Sequence, residues 1–358
     1  MKKILMIASK ASHFKNFHVP YIKYLIKKGC KIYTAAEGNF ELEGVTHLQL
    51  PFKKKIVSPR NIGVIFNLAK LIRKEGFETV YSNSTLAGAI GRAAVILSGS
   101  KKTKAVHICH GYLFNDDGGK RAKAYLFFEK LLKKRTDLLA VMNKEDLEIA
   151  EKYSLGNETV FINGMGLDIE AFPDIPNEMI AEARKSLGAK ENTLIFLCAA
   201  EFSGRKNQKT VIEALSLLKR TDCLVIFAGD GELLEQCKAL AKESGVEDRT
   251  IFLGHYKKMN ILYRSCDCLI SAGRFEGLPF NVMEALYCGE NIIVSDVKGN
   301  RDLAENSAFA GLFPFDDSAG LANLMEKAEK PVSRSCKLPE KYFLKNVFEE
   351  NIRLLRMN

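Results

Sequence analysis

The sequence predicts an α/β protein built from two successive doubly wound parallel sheets. Three observations lead there. The chain is 358 residues long, more than one hydrophobic core usually covers. Short β-branched runs alternate with longer amphipathic stretches, the rhythm of βαβ units. That rhythm stops at a Gly- and Pro-containing stretch and then starts again.

In the first series, residues 3–8, 31–36, 79–83, 105–109, 138–142 and 159–162 read as strands. Residues 17–28, 61–75 and 86–97 read as helices. Residues 164–190 carry Gly164, Gly166, Pro173 and Pro176 and read as a linker. Strands resume at 194–199, 224–228, 250–253, 268–271 and 291–295, with helices at 207–219, 233–244 and 282–288. The expected domains are 1–165 and 166–340, followed by a last helix at 341–357. Such sheets bind ligands at the carboxyl ends of their strands.

Bulk properties narrow the class. Apolar residues make up 47%, which suits a folded globular enzyme. No apolar run approaches ~18 residues, so no membrane span is expected. The opening Met1–Ala8 reads as a buried strand, because Lys10, His13 and Lys15 interrupt any signal-peptide core. The nine cysteines include no C-x-x-C pair, a pattern of buried thiols in a reducing compartment. Charge is uneven. Residues 1–170 hold 28 Lys and Arg against 16 Asp and Glu, and residues 171–358 hold 25 against 27. The basic half reads either as solvated lysine or as a surface for an anionic partner. Lys120, Arg121, Lys123, Lys130, Lys133, Lys134 and Arg135 flank the apolar run 125–128. This stretch either lies on anionic lipid or packs on the first domain with its charges in water.

Four segments offer chemistry. The richest is 274–286, Arg-Phe-Glu-Gly-Leu-Pro-Phe-Asn-Val-Met-Glu-Ala-Leu, between an expected strand and an expected helix. Pro279 marks the helix start. A helix start at the carboxyl edge of a parallel sheet suits a diphosphate. Glu276 and Glu284 are placed to hold diols through charge-assisted hydrogen bonds; the competing reading is a surface loop with two solvated carboxylates. The second segment, 199–207, puts Arg205 and Lys206 in the turn after the second domain's first strand, where cations neutralise a pyrophosphate. The third, 107–114, places His110-Gly111 at a strand end, with His107 inside the strand and structural. The fourth, 9–18, is read as a loop that brings His13 and Lys15 to the acceptor side. Asn83 lies at a similar edge and reads either as an acceptor contact or as a helix cap.

Absences matter too. There is no G-x-G-x-x-G, no P-loop lysine, no D-x-D triplet and no G-x-S-x-G elbow. No metal-ligand set is assigned, and nucleic acid is not an expected partner.

Taken together and in order, these residues resemble the family 4 retaining glycosyltransferases of the GT-B fold, in which two Rossmann-like domains face each other across a cleft. Glu276…Glu284 resembles that family's E-x7-E signature. Gly204–Asn207 resembles its K-N segment, His110-Gly111 its H-G segment and 164–168 its G-x-G-[IVL]-D linker. Val297-Lys298-Gly299-Asn300-Arg301-Asp302-Leu303 and Phe17-His18-Val19-Pro20-Tyr21 resemble the bacterial branch that builds capsules and exopolysaccharides. Two departures stand out: the first loop lacks a Gly-Gly pair, and Glu201 replaces an arginine, with Arg205 as its candidate substitute.

The resemblance implies roles. Glu276 would bind the transferred sugar, Glu284 the ribose, and Arg205 with Lys206 the diphosphate. Gly277, Leu278, Pro279 and Phe280 would line the donor pocket, and His110 would contact the sugar's C6 side. The last helix would cross back to the first domain. The reaction implied is retaining, metal-independent transfer of a hexose or N-acetylhexosamine from a UDP-sugar to a polyprenyl-diphosphate-linked saccharide, by a peripheral enzyme on the inner face of the cell membrane. A sugar-nucleotide epimerase or hydrolase of the same fold, or a non-catalytic nucleotide-sugar-binding protein, is the alternative.

Overall fold

The computed structural model describes residues 1–52, 58–116, 118–305 and 310–356. The chain divides into two compact units: Met1–Gly166 with Lys345–Asn358, and Leu167–Leu344.

Unit 1 runs β1 (Lys3–Lys10), α1 (Ala11–Phe17), α2 (Val19–Lys27), β2 (Lys31–Glu37), β3 (Val45–Gln49), α3 (Pro59–Glu75), β4 (Thr79–Asn83), α4 (Thr85–Ser98), β5 (Lys104–Cys109), α5 (Gly119–Leu132), β6 (Leu138–Val141), α6 (Lys144–Lys152) and β7 (Glu158–Phe161). Its sheet is ordered β3-β2-β1-β4-β5-β6-β7, and every pair is parallel. The order turns around between β1 and β4, the switch point at which such sheets bind ligands. β1, β4 and β5 are buried along most of their length because their side chains meet helices on both faces.

Unit 2 runs α7 (Asn177–Ser186), β8 (Leu194–Ala199), α8 (Gln208–Leu217), β9 (Cys223–Ala228), α9 (Leu234–Glu243), β10 (Thr250–Gly254), α10 (Met259–Ser265), β11 (Cys268–Ser271), α11 (Phe280–Tyr287), β12 (Asn291–Ser295), α12 (Asn300–Ala304), β13 (Ala310–Phe313) and α13 (Ser318–Glu326). Its sheet is ordered β10-β9-β8-β11-β12-β13, again parallel. The switch point here lies between β8 and β11. Phe196, Phe227, Ile270 and Val211 sit in its core, all with no exposed surface.

The last helix, α14 (Leu344–Arg356), packs within unit 1. Phe348 stacks on Tyr21 at 5.0 Å, and Asn351 donates to the Tyr21 hydroxyl at 2.9 Å and to the Gly164 carbonyl at 3.0 Å. The expected helix end at 357 lies outside the described residues.

Several expectations need correction. The segment read as a loop, 9–18, is the end of β1 plus α1. Ala11 and Phe14 bury one side of that helix, an apolar signal too short to read as a period. The chain then breaks at His18, and Pro20 opens α2, so the single helix expected at 17–28 starts later. The linker expected at 164–190 contains α7. That helix is anchored by Arg184, which donates to Asp267 at 3.0 Å and to the Thr193 carbonyl at 2.7 Å. In α5, Tyr125, Leu126 and Phe128 are half-buried, and only Phe127 of the run 125–128 is exposed. Tyr125 and Leu126 pack on the core of unit 1, and the helix is tied down there by a buried ion pair. Arg92 on α4 grips Glu129 with two hydrogen bonds of 2.8 and 2.9 Å.

Candidate functional site

The residues singled out in unit 2 converge at its switch point. Arg205 and Lys206 follow β8; Glu276 and Gly277–Phe280 follow β11. The two loops are joined by a backbone bond, Arg274 N–H to the Arg205 carbonyl at 2.8 Å. Glu276 is buried, at 6% exposure. Lys206 Nζ donates to its Oε1 at 2.7 Å, and Arg205 Nη1 lies 3.4 Å from both oxygens while donating to the Phe275 carbonyl at 3.1 Å. Lys206 is mostly buried, whereas Arg205 keeps much of its guanidinium in solvent. Two cations beside one carboxylate leave a net positive turn, the charge that a diphosphate requires. Glu201 is exposed, so the guanidinium that reaches Glu276 is that of Arg205.

The positive end of α11 adds to this field. Pro279, in extended conformation, is the residue just before that helix. Leu278 and Pro279 are buried, Gly277 is buried beneath them, and Phe280 is half-buried. Asn281 donates to the Ala199 carbonyl at 3.1 Å, which ties the helix start to the end of β8. Glu284 sits one turn further on. Burial pushes its carboxyl up to about 7, opposed by the Tyr263 hydroxyl, which donates to Oε2 at 2.6 Å.

Sequence reasoning missed the supports beneath this site. Gly273 is one: a Cβ there would fall 2.3 Å from Glu276 Oε1. Gly299 is another. Its φ is +78°, and a Cβ would fall 2.3 Å from the Gly277 carbonyl oxygen, so only glycine lets the turn before α12 press on that backbone. Asn300 donates to the Ser295 carbonyl at 3.0 Å, and Ser295 Oγ donates to the Gly273 carbonyl at 2.5 Å. The signal was present in the run 297–303, but nothing in a sequence says that those residues underlie Glu276. Tyr263 had no signal at all, since a lone aromatic in a helix reads as core.

Unit 1 gathers a second group at its own switch point. His13 comes from α1, His18 from the break before α2, Asn83 from the end of β4 and His110 from just after β5. His110 Nε2 lies 3.1 Å from Asn83 Oδ1. Asn83 Nδ2 points to the Ile7 carbonyl at 3.4 Å. Asn83 is therefore no helix cap: the N-cap of α4 is Ser84, without a side-chain cap bond. His13 and His110 rings are 4.6 Å apart and edge-on. Lys15 is exposed on α1, and among the described contacts none joins it to this group. No metal ligands were assigned from the sequence, yet one nitrogen from each of His13, His18 and His110 lies within 4.8 Å of the others. His107 is fully buried behind them, with Nδ1 3.2 Å from the Ser82 carbonyl oxygen.

Known proteins match along the whole chain. Residues 179–340 match the family model described as "Glycosyl transferases group 1". The putative glycosyltransferase EpsD of Bacillus subtilis (strain 168) is 29% identical over 333 residues, covering 91% of this chain and 87% of that protein. The UDP-Gal:alpha-D-GlcNAc-diphosphoundecaprenol alpha-1,3-galactosyltransferase of Escherichia coli is 27% identical over 297 residues, covering 78% of this chain and 76% of its own. Among solved structures, Anabaena Alr3699/HepE in complex with UDP superposes with a TM-score of 0.76 at 17% identity over 100% of both chains. With two parallel-sheet Rossmann-like units, a match to the group 1 model over residues 179–340 and glycosyltransferases among its relatives, the chain is a glycosyltransferase of the GT-B fold.

Proposed function

We propose that the chain transfers a hexose or N-acetylhexosamine from a UDP-sugar, with retention and without a metal on the diphosphate, to a polyprenyl-diphosphate-linked saccharide in bacterial surface polysaccharide synthesis. The observation that carries this reading is the Arg205–Lys206–Glu276 cluster beside the start of α11 at the β8/β11 switch point. In this reading Arg205, Lys206 and the helix start hold the diphosphate, and Glu276 takes the sugar hydroxyls. Glu284 takes the ribose, and the backbone of Gly277, Leu278, Pro279 and Phe280 lines the pocket. On the unit 1 side, His13, Lys15 and Asn83 serve the acceptor, and His110 is the candidate contact to the transferred sugar. The contribution to rate is positioning and stabilisation of the departing diphosphate. A UDP donor is supported by the UDP in the Anabaena complex, and a diphosphoundecaprenol acceptor by the substrate in the name of the Escherichia coli relative.

A screen of UDP-sugars with a polyprenyl-diphosphate-linked acceptor, read by mass spectrometry, tests this directly. The expected result is a lipid-linked product one sugar longer. Free sugar or an epimerised donor, formed without acceptor, would replace the transferase reading with the hydrolase or epimerase one.

The acceptor's setting makes a second expectation. None of the described helices is long and apolar enough to cross a membrane. In α5, however, Lys120, Lys123, Phe127, Lys130 and Leu131 recur at helical spacing and are exposed, Phe127 at 58% and Leu131 at 55%. Basic and apolar side chains on one helix face suit the inner, anionic surface of the cell membrane. Flotation with anionic vesicles should show binding that weakens with salt and with Phe127→Ser; equal binding to neutral vesicles would remove it.

Glu284 makes the donor step pH-dependent. Its carboxyl is raised, so the ionised form that accepts two ribose hydroxyls prevails only above about 7. Affinity for UDP should therefore fall as pH drops below that value. Tyr263→Phe removes the hydrogen bond that opposes the rise, so the acid-side loss should move to higher pH. Calorimetric titration of UDP from about pH 5.5 to about 8.5, which brackets the raised carboxyl and lies above the ordinary carboxylate range, reads this. An unmoved profile would exclude Glu284 from the ribose.

A further inference from the structure

The turn that carries Arg205 and Lys206 ends in strained backbone. Asn207, the next residue, is left-handed at φ +53° and stands directly before α8. An asparagine at a helix start ordinarily caps it with its side-chain oxygen; this one makes no cap bond. Its side-chain amide instead donates to Asp316 Oδ1 at 3.0 Å and to Thr210 Oγ1 at 2.8 Å. The Thr210 hydroxyl donates to the same Asp316 oxygen at 3.1 Å. Asp316 is left-handed too, at φ +68°. Asn and Asp tolerate this region better than other side chains, yet glycine adopts it freely. A forgone cap and two left-handed residues are kept for one link. Strain of this kind persists where surrounding contacts over-determine it, and it clusters beside functional sites.

We propose that Asp316 is a positioning residue for the donor: through Asn207 it fixes the turn that presents Arg205 and Lys206 to the diphosphate. The inference rests on the reading in which that turn holds a diphosphate. β13 is an edge strand, two strands beyond β11, and the loop after it reaches the turn because α13 packs on α8. That loop is itself held. Asp317 N–H donates to the Pro314 carbonyl at 3.1 Å, and the Asp317 carboxylate caps α13 by accepting from Gly320 N–H at 2.8 Å. The Arg274 guanidinium lies over the Phe315 ring, 5.5 Å from its centre, and Arg274 N–H is bonded to the Arg205 carbonyl. The loop after β13 thus braces both donor loops. Within the turn, the Lys206 and Asn207 N–H groups both donate to the Ser203 carbonyl, at 3.0 and 3.1 Å, so a shift of Asn207 is passed to the cations. Among the described contacts none joins Asp316 to Arg205, Lys206 or Glu276; its route to them is Asn207.

Asp316→Gly separates position from stability. Glycine relieves the left-handed backbone but offers no acceptor, and Asp316 is exposed, so the melting temperature should change little. UDP affinity, read by calorimetry, should fall about tenfold, the scale of losing one hydrogen bond to a charged group. Affinity for uridine, which has no phosphate for the turn to hold, should not change. Asp316→Asn keeps an oxygen acceptor on a residue type that tolerates the conformation and should bind UDP as the wild type does. Asn207→Gly should show the same loss as Asp316→Gly, and the two together no more than either alone, because both break one link. Should Asp316→Gly fail to fold, Asn207→Gly carries the same comparison. A wild type that does not bind UDP would remove the diphosphate reading and this inference with it. A wild type that binds UDP, with undiminished affinity in the folded glycine variants or an equal loss for uridine, would overturn this inference alone.

Discussion

Glu276→Gln is expected to lower kcat/KM for sugar transfer by about 10²–10³, the scale of losing one preorganised hydrogen-bonding contact to a transition state, while UDP affinity changes little. The split follows from the geometry. In the proposed reading the carboxylate takes the sugar hydroxyls, and the nucleotide is held by Arg205, Lys206 and Glu284. Glutamine is chosen over alanine for a structural reason. Lys206 is mostly buried and bonded to Glu276 at 2.7 Å, and a truncated partner would leave that ammonium with an unfilled gap. A double substitution, Glu276→Gln with Lys206→Met, separates the roles: the first residue should affect turnover and the second diphosphate affinity. Steady-state kinetics beside UDP titration reads both. Wild-type turnover in folded Glu276→Gln would end the assignment.

The largest expected loss of stability lies far from that chemistry. Glu129→Ala should destabilise unit 1 by about 3–5 kcal/mol, because it strands Arg92, whose side chain has no exposed surface, without its bidentate partner. Burial alone would raise the Glu129 carboxyl, but the Arg92 guanidinium outweighs it and holds the group below the usual carboxylate range. The sign of the pH effect follows: the pair's contribution is present at neutral pH and is lost as pH falls through that depressed value. The double substitution Arg92→Met with Glu129→Leu removes both charges and should recover most of the loss, since well-packed apolar replacements of buried pairs are often neutral. Urea denaturation of the three proteins measures it. A loss under 1 kcal/mol in Glu129→Ala would mean that water reaches Arg92 after all.

How much of this was legible depends on burial. The strands at 79–83, 194–199, 268–271 and 291–295 were bounded as the structure has them, because central parallel strands are apolar on both faces and end abruptly. β3 and β13 were missed. Both are edge strands: Val-Thr-His-Leu-Gln mixes half-buried with exposed residues and shows no clean alternation, and Ala-Gly-Leu-Phe is apolar but only four residues long, too short to tell from a loop or a helix start. The placement of Arg205, Lys206 and Glu276 at the edge of the unit 2 sheet was legible because each sits just past a readable strand, and that of Glu284 because Pro279 marks the helix that carries it. Their joining through the Arg274–Arg205 backbone bond was not, nor was the convergence of His13, His18 and His110. Such groupings depend on strand order, and strand order is invisible in a chain read from end to end.

The way α14 closes on unit 1 bears on how the protein is made. Leu167 and Phe343 pair as a short parallel bridge, flanked by bonds from Leu167 to Tyr342 and from Leu344 to Leu167. Unit 2 is thus an insert whose ends meet. During synthesis the ribosome must deliver all of it before the Asn351 contacts to Tyr21 and Gly164 can form. A nascent unit 1 waits with the Tyr21 and Tyr24 face of α2 uncovered until α14 arrives, a surface for chaperones to guard.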